Sequence, residues 1–154
     1  MALHSNMSAE RYILFCDGAS RGNPGNASFG VACFKGSTSP TLSEFKQNET
    51  SAVFAVGFPL GMATNNEAEY RAILYALEEC KKRGISSPTL YSDSELVVKQ
   101  LNGLYKVKDA KMRSLFTQAM PLIRAIHPTI VHVRREKNQI ADFLANRALD
   151  EALL

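Results

Sequence analysis

Hydrophobic residues along the chain alternate between short apolar runs and longer stretches with helical spacing. Short runs rich in aromatic and branched residues predict β-strands, whereas apolar residues at i, i+3, i+4 and i+7 predict amphipathic helices. The predicted strands cover residues 11–17, 28–34, 52–58, 89–92 and 129–133. The predicted helices cover residues 65–83, 94–102, 109–126 and 138–153. This order indicates an α/β domain in which an antiparallel meander of three strands joins two parallel strands.

The polar stretches predict how the rest of the chain is organised. Residues 18–26 contain Gly, Ser, Asn and Pro, which favour a turn-rich loop. Residues 35–51 are polar, and we expect a long hairpin connection that is the least ordered part of the fold. Residues 1–10 lack the basic and apolar regions of a signal peptide, and we expect a short disordered tail. A single domain is then predicted over residues 11–154.

The strongest helical pattern covers residues 65–83. Thr64 or Asn65 can cap its start, and Gly84 follows its basic end. Glu69 lies three and four positions before two apolar residues of the buried stripe, so its carboxylate is expected on the buried face. The apolar positions of this stripe are Ala68, Ala72, Ile73, Ala76, Leu77 and Cys80.

Two acidic residues directly follow short apolar runs. Asp17 ends the first predicted strand, and Asp93 follows the fourth. Ligands of open α/β sheets bind at the carboxyl ends of the strands, so parallel neighbouring strands would place these two carboxylates side by side. Each acid also has a simpler interpretation, as a residue that merely ends a strand or caps a helix. Asp93, for example, could cap the helix that follows it. Glu69 and Asp142, near the start of the last helix, complete a set of four.

A cluster of carboxylates is costly because like charges repel. Proteins that gather several acids usually neutralise them with a hard divalent cation, which takes oxygen ligands. Carboxylates with such an ion are the chemistry of phosphoryl transfer. The four acids therefore predict a metal centre.

Composition adds limits to this picture. Of the 154 residues, 45% are hydrophobic, and the formal net charge is +3. If four acids bind metal, the remaining surface is distinctly basic and suits a polyanionic partner. Cys16, Cys33 and Cys80 are widely spaced among apolar neighbours, and we expect buried free thiols in a reducing cytoplasm. No apolar run reaches the roughly 18 residues that span a membrane, so no membrane association is expected.

Four segments together resemble type I ribonuclease H, in particular its compact bacterial and archaeal members. They occur in the order of that family and lie between residues 11 and about 150. One segment alone would be weak, but four in order make chance similarity improbable. The segments are Phe15-Cys16-Asp17-Gly18-Ala19-Ser20-Arg21-Gly22-Asn23-Pro24-Gly25, Thr64-Asn65-Asn66-Glu67-Ala68-Glu69-Tyr70, Tyr91-Ser92-Asp93-Ser94 and Arg135-Glu136-Lys137-Asn138-Gln139-Ile140-Ala141-Asp142.

This resemblance implies a ribonuclease H-like fold, with a five-stranded mixed sheet flanked by helices. It also implies a metal-dependent endoribonuclease that cuts the RNA strand of an RNA–DNA hybrid and leaves 5′-phosphate and 3′-hydroxyl ends. The residues matching the family's metal-binding and catalytic acids are Asp17, Glu69, Asp93 and Asp142. Two Mg²⁺ ions, which Mn²⁺ can replace, would serve this chemistry. A monomer is expected.

Contacts to the hybrid are expected in its wide minor groove, where RNA displays 2′-hydroxyls. The resemblance and the glycine-rich loop place these contacts at Gly18, Ser20, Asn23, Thr64, Asn65, Asn66 and Arg135. Asn65 and Asn66 also suit helix capping, and the two roles are compatible.

The chain departs from larger family members in two places. Their loop histidine has no counterpart between Val133 and Asp142, and His132 falls within the strand pattern. Their tryptophan-rich basic protrusion is absent, and residues 105–111 offer a modest basic patch. One alternative is therefore a weakly active or inactive nucleic-acid-binding module with the same fold. Another is an exonuclease or DNA strand-transfer enzyme, which the paired asparagines disfavour.

Overall fold

A computed structural model describes residues 10–154, which form five strands, five α-helices and two short 3₁₀ turns. In chain order the elements are β1 Tyr12–Gly22, β2 Gly25–Lys35, α1 Leu42–Gln47, β3 Phe54–Ala63, α2 Asn65–Arg83, β4 Thr89–Ser92, α3 Glu95–Leu101, α4 Ala110–Ile126, β5 Thr129–His132 and α5 Gln139–Ala152. The 3₁₀ turns cover Glu49–Ser51 and Arg135–Lys137. The tail predicted over residues 1–10 lies outside the described residues except for Glu10.

The five strands form one mixed sheet in the order β3-β2-β1-β4-β5. β1, β2 and β3 pair antiparallel, whereas β4 pairs parallel to both β1 and β5. The predicted fold class is therefore confirmed. One face of the sheet packs against α2 and α4, and the other packs against α5 and α1. Among residues 10–154, no helix is long and apolar enough to cross a membrane.

Helix α2 has the bounds that the sequence predicts. The Thr64 hydroxyl accepts a hydrogen bond from the Glu67 N–H at 3.1 Å, and the Glu67 carboxylate accepts one from the Thr64 N–H at 3.1 Å. These two bonds form a capping box that fixes the first turn. Gly84 ends the helix with φ of 70°, a left-handed conformation that suits glycine. The predicted buried thiols Cys16, Cys33 and Cys80 are free and buried.

The prediction of a loop over residues 18–26 is wrong for most of that range. β1 and β2 continue through it as a long hairpin, and only Asn23 and Pro24 form the turn. The residues of this stretch have low strand propensity. Their backbone groups nevertheless pair across the hairpin, from Gly18 with Phe29 to Gly22 with Gly25. Cross-strand pairing therefore overrides local propensity.

The connection predicted over residues 35–51 contains an ordered helix, which contradicts the expected loose hairpin. Thr41 and Glu44 form a capping box at the start of α1, and Phe45 is fully buried. The Glu49 carboxylate forms two hydrogen bonds with the Arg147 guanidinium of α5, at 2.7 and 2.9 Å. One buried aromatic residue and one bidentate ion pair thus hold this segment against α5.

Helix α5 lies unusually close to the sheet. A Cβ atom at Gly30 would come within 2.7 Å of the Ala145 nitrogen, so only glycine allows this approach. Gly57 on β3 is similarly crowded by the backbone of Leu144. The Ser28 hydroxyl, also buried, donates a hydrogen bond to the Ala145 carbonyl at 2.6 Å. These contacts fix the position of the helix that carries Asp142.

Strand β3 is one edge of the sheet, and its pairing with β2 is irregular. The register shifts between Ala27 and Ser28, which pair with Gly61 and Pro59. This β-bulge leaves Leu60 without a direct partner on β2.

Candidate active site

Three carboxylates meet in the middle of the sheet, where the parallel pairing of β1 with β4 ends. Asp17, Glu69 and Asp93 each place an oxygen within 4.8 Å of the other two. Asp17 and Glu69 are 5% and 7% exposed, and Asp93 is half-buried. Strand β1, helix α2 and the end of β4 each contribute one of these acids. The structure therefore brings together residues that are up to 76 positions apart, counted from Asp17 to Asp93.

Asp17 does not end its strand as the sequence predicts, because β1 runs on to Gly22. It instead marks the end of parallel pairing. The last parallel pair joins Cys16 with Ser92, so Asp17 and Asp93 are the next residues on neighbouring strands. The expected side-by-side arrangement of these two carboxylates is thus present at the point where β4 stops and β1 continues.

Asp93 does not cap the helix that follows it. The cap of α3 is Ser94, whose hydroxyl accepts a hydrogen bond from the Val97 N–H at 3.4 Å. The Asp93 carboxylate remains directed to the cluster, and its Oδ2 atom is buried without a hydrogen-bond partner. A buried carboxylate oxygen without a donor is rare in proteins. Its chemistry fits coordination of a hard divalent cation.

Glu69 lies on the buried face of α2, as the helical spacing predicts. Its Oε1 atom accepts a hydrogen bond from the backbone N–H of Gly18, the residue after Asp17. A Cβ atom at position 18 would lie 2.5 Å from the backbone nitrogen of Glu69. Gly18 therefore lets β1 approach α2 closely.

Gly18→Ala is therefore expected to displace Glu69 and to reduce metal-dependent activity at least tenfold. The added methyl group overlaps the backbone of α2, which has no flexible atom to move aside. Cleavage rates and melting temperature should be measured together. Ala19→Gly, next in the same strand, is the matched control and should retain activity within about twofold. Full activity of Gly18→Ala would contradict this role.

Electrostatics makes the cluster unfavourable without a cation. Burial raises the pKa of Asp17 far above its ordinary value, and the charges of Glu69, Asp93 and Asp142 raise it further. Burial also raises the pKa of Glu69 to about 8, with a further contribution from the charge of Asp93. A divalent cation would reverse this effect, since it favours the ionised form of every carboxylate around it.

Asp142, the fourth predicted acid, lies outside the group of three. It is half-buried in the first turn of α5, and its charge still contributes to the raised pKa of Asp17. Asn146, one turn further along, donates a hydrogen bond to the Asp142 carboxylate at 3.2 Å. Asp142 thus flanks the cluster from α5 and faces a cleft that Arg135 also lines.

Four of the predicted nucleic-acid contacts, Asn23, Thr64, Asn65 and Asn66, group at the hairpin end and the start of α2. The Asn23 side-chain oxygen accepts a hydrogen bond from the Asn65 N–H at 3.1 Å, which ties these two segments together. Asn65 is exposed and Asn66 is half-buried. The Thr64 hydroxyl accepts the capping bond, and its own hydrogen remains available as a donor. This region also carries the positive end of the α2 dipole, which favours anions.

Two further predicted contact residues, Ser20 and Arg135, lie apart from this group. The Ser20 hydroxyl lies within hydrogen-bonding distance of the Gly22 and Ala63 carbonyls, so it holds the hairpin against the end of β3. Arg135 is exposed in the 3₁₀ turn before α5. His132 lies within β5, as the strand pattern predicts, and is the exposed last residue of that strand.

One buried polar residue of this region was not assigned a role by the sequence. Asn138 is fully buried directly before α5, and its side chain contacts the backbone of β1 at Cys16. The sequence signal is weak, because an asparagine before an apolar helical stripe usually indicates a helix cap. Here the Asn138 side chain forms no capping bond.

Known proteins resemble the whole of this domain. The family described as reverse transcriptase-like matches residues 15–148. A bifunctional protein of Mycobacterium tuberculosis is 36% identical over 92% of this chain, which spans only 36% of that protein's length. The crystal structure of RNase H1 from Halobacterium salinarum aligns with a TM-score of 0.79 and 38% identity, and covers 92% of this chain and 98% of its own.

A further solved structure contains a nucleic acid. LC11-RNase H1, crystallised in complex with an RNA/DNA hybrid, aligns with a TM-score of 0.78 and 33% identity. The alignment covers 93% of this chain and 99% of that protein. The family match over residues 15–148 includes all four predicted acids.

Proposed function

Because this chain belongs to the type 1 ribonuclease H family, we propose that it is an endoribonuclease that hydrolyses the RNA strand of RNA–DNA hybrids. The products would carry 5′-phosphate and 3′-hydroxyl ends. The observation that carries this proposal is the cluster of Asp17, Glu69 and Asp93, whose oxygens lie within 4.8 Å of one another. Members of this family depend on divalent metal ions, and this cluster offers the oxygen ligands that such ions require.

Asp17, Glu69, Asp93 and Asp142 would hold two Mg²⁺ ions, which Mn²⁺ can replace. Bound there, the ions would supply Lewis-acid chemistry by activating a water and stabilising the leaving 3′ oxygen. The four side chains would be ionised in that state, and their charge would retain the cations beside the bound hybrid. Asp17 would be the central ligand of this set, since its carboxylate lies beside those of Glu69 and Asp93 and senses the charge of Asp142.

The hairpin end and the start of α2 would bind the minor groove of the hybrid. The Asn65 backbone N–H donates to the Asn23 side chain, so the two amide side chains start from neighbouring positions. Such groups can donate to and accept from a 2′-hydroxyl, which distinguishes RNA from DNA. Thr64 retains a hydroxyl donor for a phosphate of the DNA strand, and Arg135 would contact phosphate on the other side of Asp142.

The decisive experiment uses one end-labelled RNA strand, presented alone, in an RNA–RNA duplex and in an RNA–DNA hybrid. Each substrate is incubated with Mg²⁺, Mn²⁺ or EDTA. We expect internal cuts only in the hybrid and only with metal. Hybrid binding without cleavage under either metal would instead favour a nucleic-acid-binding module. If the RNA–RNA duplex were cut as fast as the hybrid, the proposed recognition of 2′-hydroxyls on one strand only would be contradicted.

Binding of the hybrid should weaken as salt rises, because contacts to phosphates release counterions. We expect the association constant to fall about tenfold or more between roughly 50 and 200 mM salt, the response to about two phosphate contacts. Fluorescence anisotropy with a labelled hybrid in Ca²⁺ would measure it. An affinity independent of salt would contradict phosphate contacts by Arg135 and Thr64.

We also propose a cytoplasmic monomer. The three free cysteines, all buried, support a reducing compartment. Sedimentation of the purified chain would test the oligomeric state, and a dimer at micromolar concentration would contradict it.

A further inference from the structure

Asn138 connects the strand that carries Asp17 to the helix that carries Asp142. Its side-chain Nδ2 group donates a hydrogen bond to the Cys16 carbonyl at 2.8 Å, directly before Asp17 in the chain. Its backbone carbonyl accepts a hydrogen bond from the Asp142 N–H at 3.1 Å. One residue thus reaches the backbone on both sides of the site, through two short hydrogen bonds.

The same asparagine leaves a polar atom unsatisfied. Its side chain is fully buried, and its Oδ1 atom has no hydrogen-bond partner. Exchanging the oxygen and nitrogen would set two oxygens against each other at Cys16, so the contact itself fixes the orientation of the amide. A buried acceptor without a partner destabilises the folded state, because it has lost its hydrogen bonds to water. A small apolar residue would avoid that cost but would also remove the bond to the Cys16 carbonyl, so the net contribution of asparagine to stability is small.

We propose that Asn138 is a positioning residue that sets the separation of Asp17 and Asp142, and thereby the metal affinity of the site. This inference rests on the function proposed above. Without the Nδ2 contact, the first turn of α5 is tied to β1 only by packing, and the Asp142 carboxylate can move relative to Asp17. Groups that orient metal ligands from outside typically change metal affinity by 10–100-fold when they are removed.

Ser28 provides a matched control. Its buried hydroxyl also donates to a backbone carbonyl between the sheet and α5, at Ala145, three residues after Asp142. Ser28→Ala and Asn138→Ala therefore each remove one buried hydrogen bond between α5 and the sheet. Only Asn138→Ala removes the hydrogen bond at the end of α5 that lies beside the acids.

The test is calorimetric titration of the full chain with Mn²⁺, beside melting temperatures in EDTA. We expect Asn138→Ala to bind Mn²⁺ roughly tenfold or more weakly than the parent. Ser28→Ala should stay within about twofold, even if both variants melt at lower temperature. Equal Mn²⁺ affinity of Asn138→Ala and the parent, or equal weakening in both variants, would overturn the proposal.

Asn138→Ser, which leaves a smaller cavity, supplies the same comparison if Asn138→Ala does not fold. Failure of the proposed function has a different signature from failure of this inference. A parent chain that neither binds Mn²⁺ nor cuts hybrids would overturn the metal centre itself. A parent chain that does both, with Asn138→Ala and Asn138→Ser unaffected in Mn²⁺ affinity, would overturn only the role of Asn138.

Discussion

Asp17→Asn is expected to abolish cleavage of an RNA–DNA hybrid while leaving hybrid binding intact or stronger. Asp17 is the most central carboxylate of the cluster, with an oxygen within 4.8 Å of oxygens of Glu69 and Asp93 and within the electrostatic range of Asp142. An amide keeps the shape of the side chain but loses the charge that holds a divalent cation. We expect a rate loss of roughly 10³-fold or more, which corresponds to about 4 kcal/mol of transition-state stabilisation.

Single-turnover cleavage in Mg²⁺ measures the rate, and anisotropy in EDTA measures hybrid binding. Binding should hold or improve, because the amide is uncharged and has the shape of a carboxyl group that burial keeps protonated without metal. Cleavage within a few-fold of the parent would show that Asp17 is not a metal ligand. Loss of both cleavage and binding would indicate a structural defect instead.

The same variant should stabilise the metal-free protein at high pH. Burial and neighbouring carboxylates raise the pKa of Asp17 and Glu69, the latter to about 8. Native carboxyls then keep protons that the unfolded chain releases above about pH 4. The free energy of unfolding therefore falls as the pH rises from about 4 through 8. In EDTA, Asp17→Asn should melt roughly 3 °C or more above the parent at pH 8, and near the parent at pH 4.

Glu69→Gln should reduce cleavage severely, whereas Glu67→Gln should be nearly neutral. The two glutamates flank Ala68, yet their side chains face different surroundings. Glu69 is buried in the acid cluster and accepts the Gly18 N–H. Glu67 accepts the Thr64 N–H in the capping box, a role that glutamine fills as well.

Parallel rate measurements in Mg²⁺ separate the two positions. We expect at least about 100-fold loss for Glu69→Gln and less than about threefold loss for Glu67→Gln. Melting temperatures confirm that both variants fold. A severe defect in Glu67→Gln together with an active Glu69→Gln would move the metal ligand to position 67.

Elements with local signals were predictable from the sequence, and elements set by distant contacts were not. Helix α2 has a capping box at Thr64 and a glycine at position 84, both encoded within its own sequence, and its bounds are as predicted. The hairpin through residues 18–26 is rich in turn-forming residues, and only its pairing with the facing strand makes it extended. Helix α1 carries a local capping box at Thr41 and Glu44, but it has only six residues and is held in place by Phe45 and by the ion pair of Glu49 with a residue 98 positions away.

The candidate site follows the same division. The spacing of the helical stripe places Glu69 on the buried face, and the strand pattern places Asp17 and Asp93 on neighbouring strands. The offset of Asp142 from these three depends on how closely α5 packs on the sheet. That distance is set at Gly30 and Gly57, which carry no chemical signal of their own. Asn138 was missed for the same reason, since its partner is a backbone carbonyl.

The irregular edge strand has a consequence for behaviour in concentrated solution. A regular edge offers an uninterrupted row of backbone donors and acceptors to a second molecule, which invites strand-to-strand aggregation. Strand β3 exposes Phe58 and Met62, at 42% and 70%, which would strengthen such a contact. Pro59 lacks a donor, and the bulge at Leu60 twists the strand away from a flat register. The edge is thereby a poor template for fibrous self-association, even though its side chains are apolar.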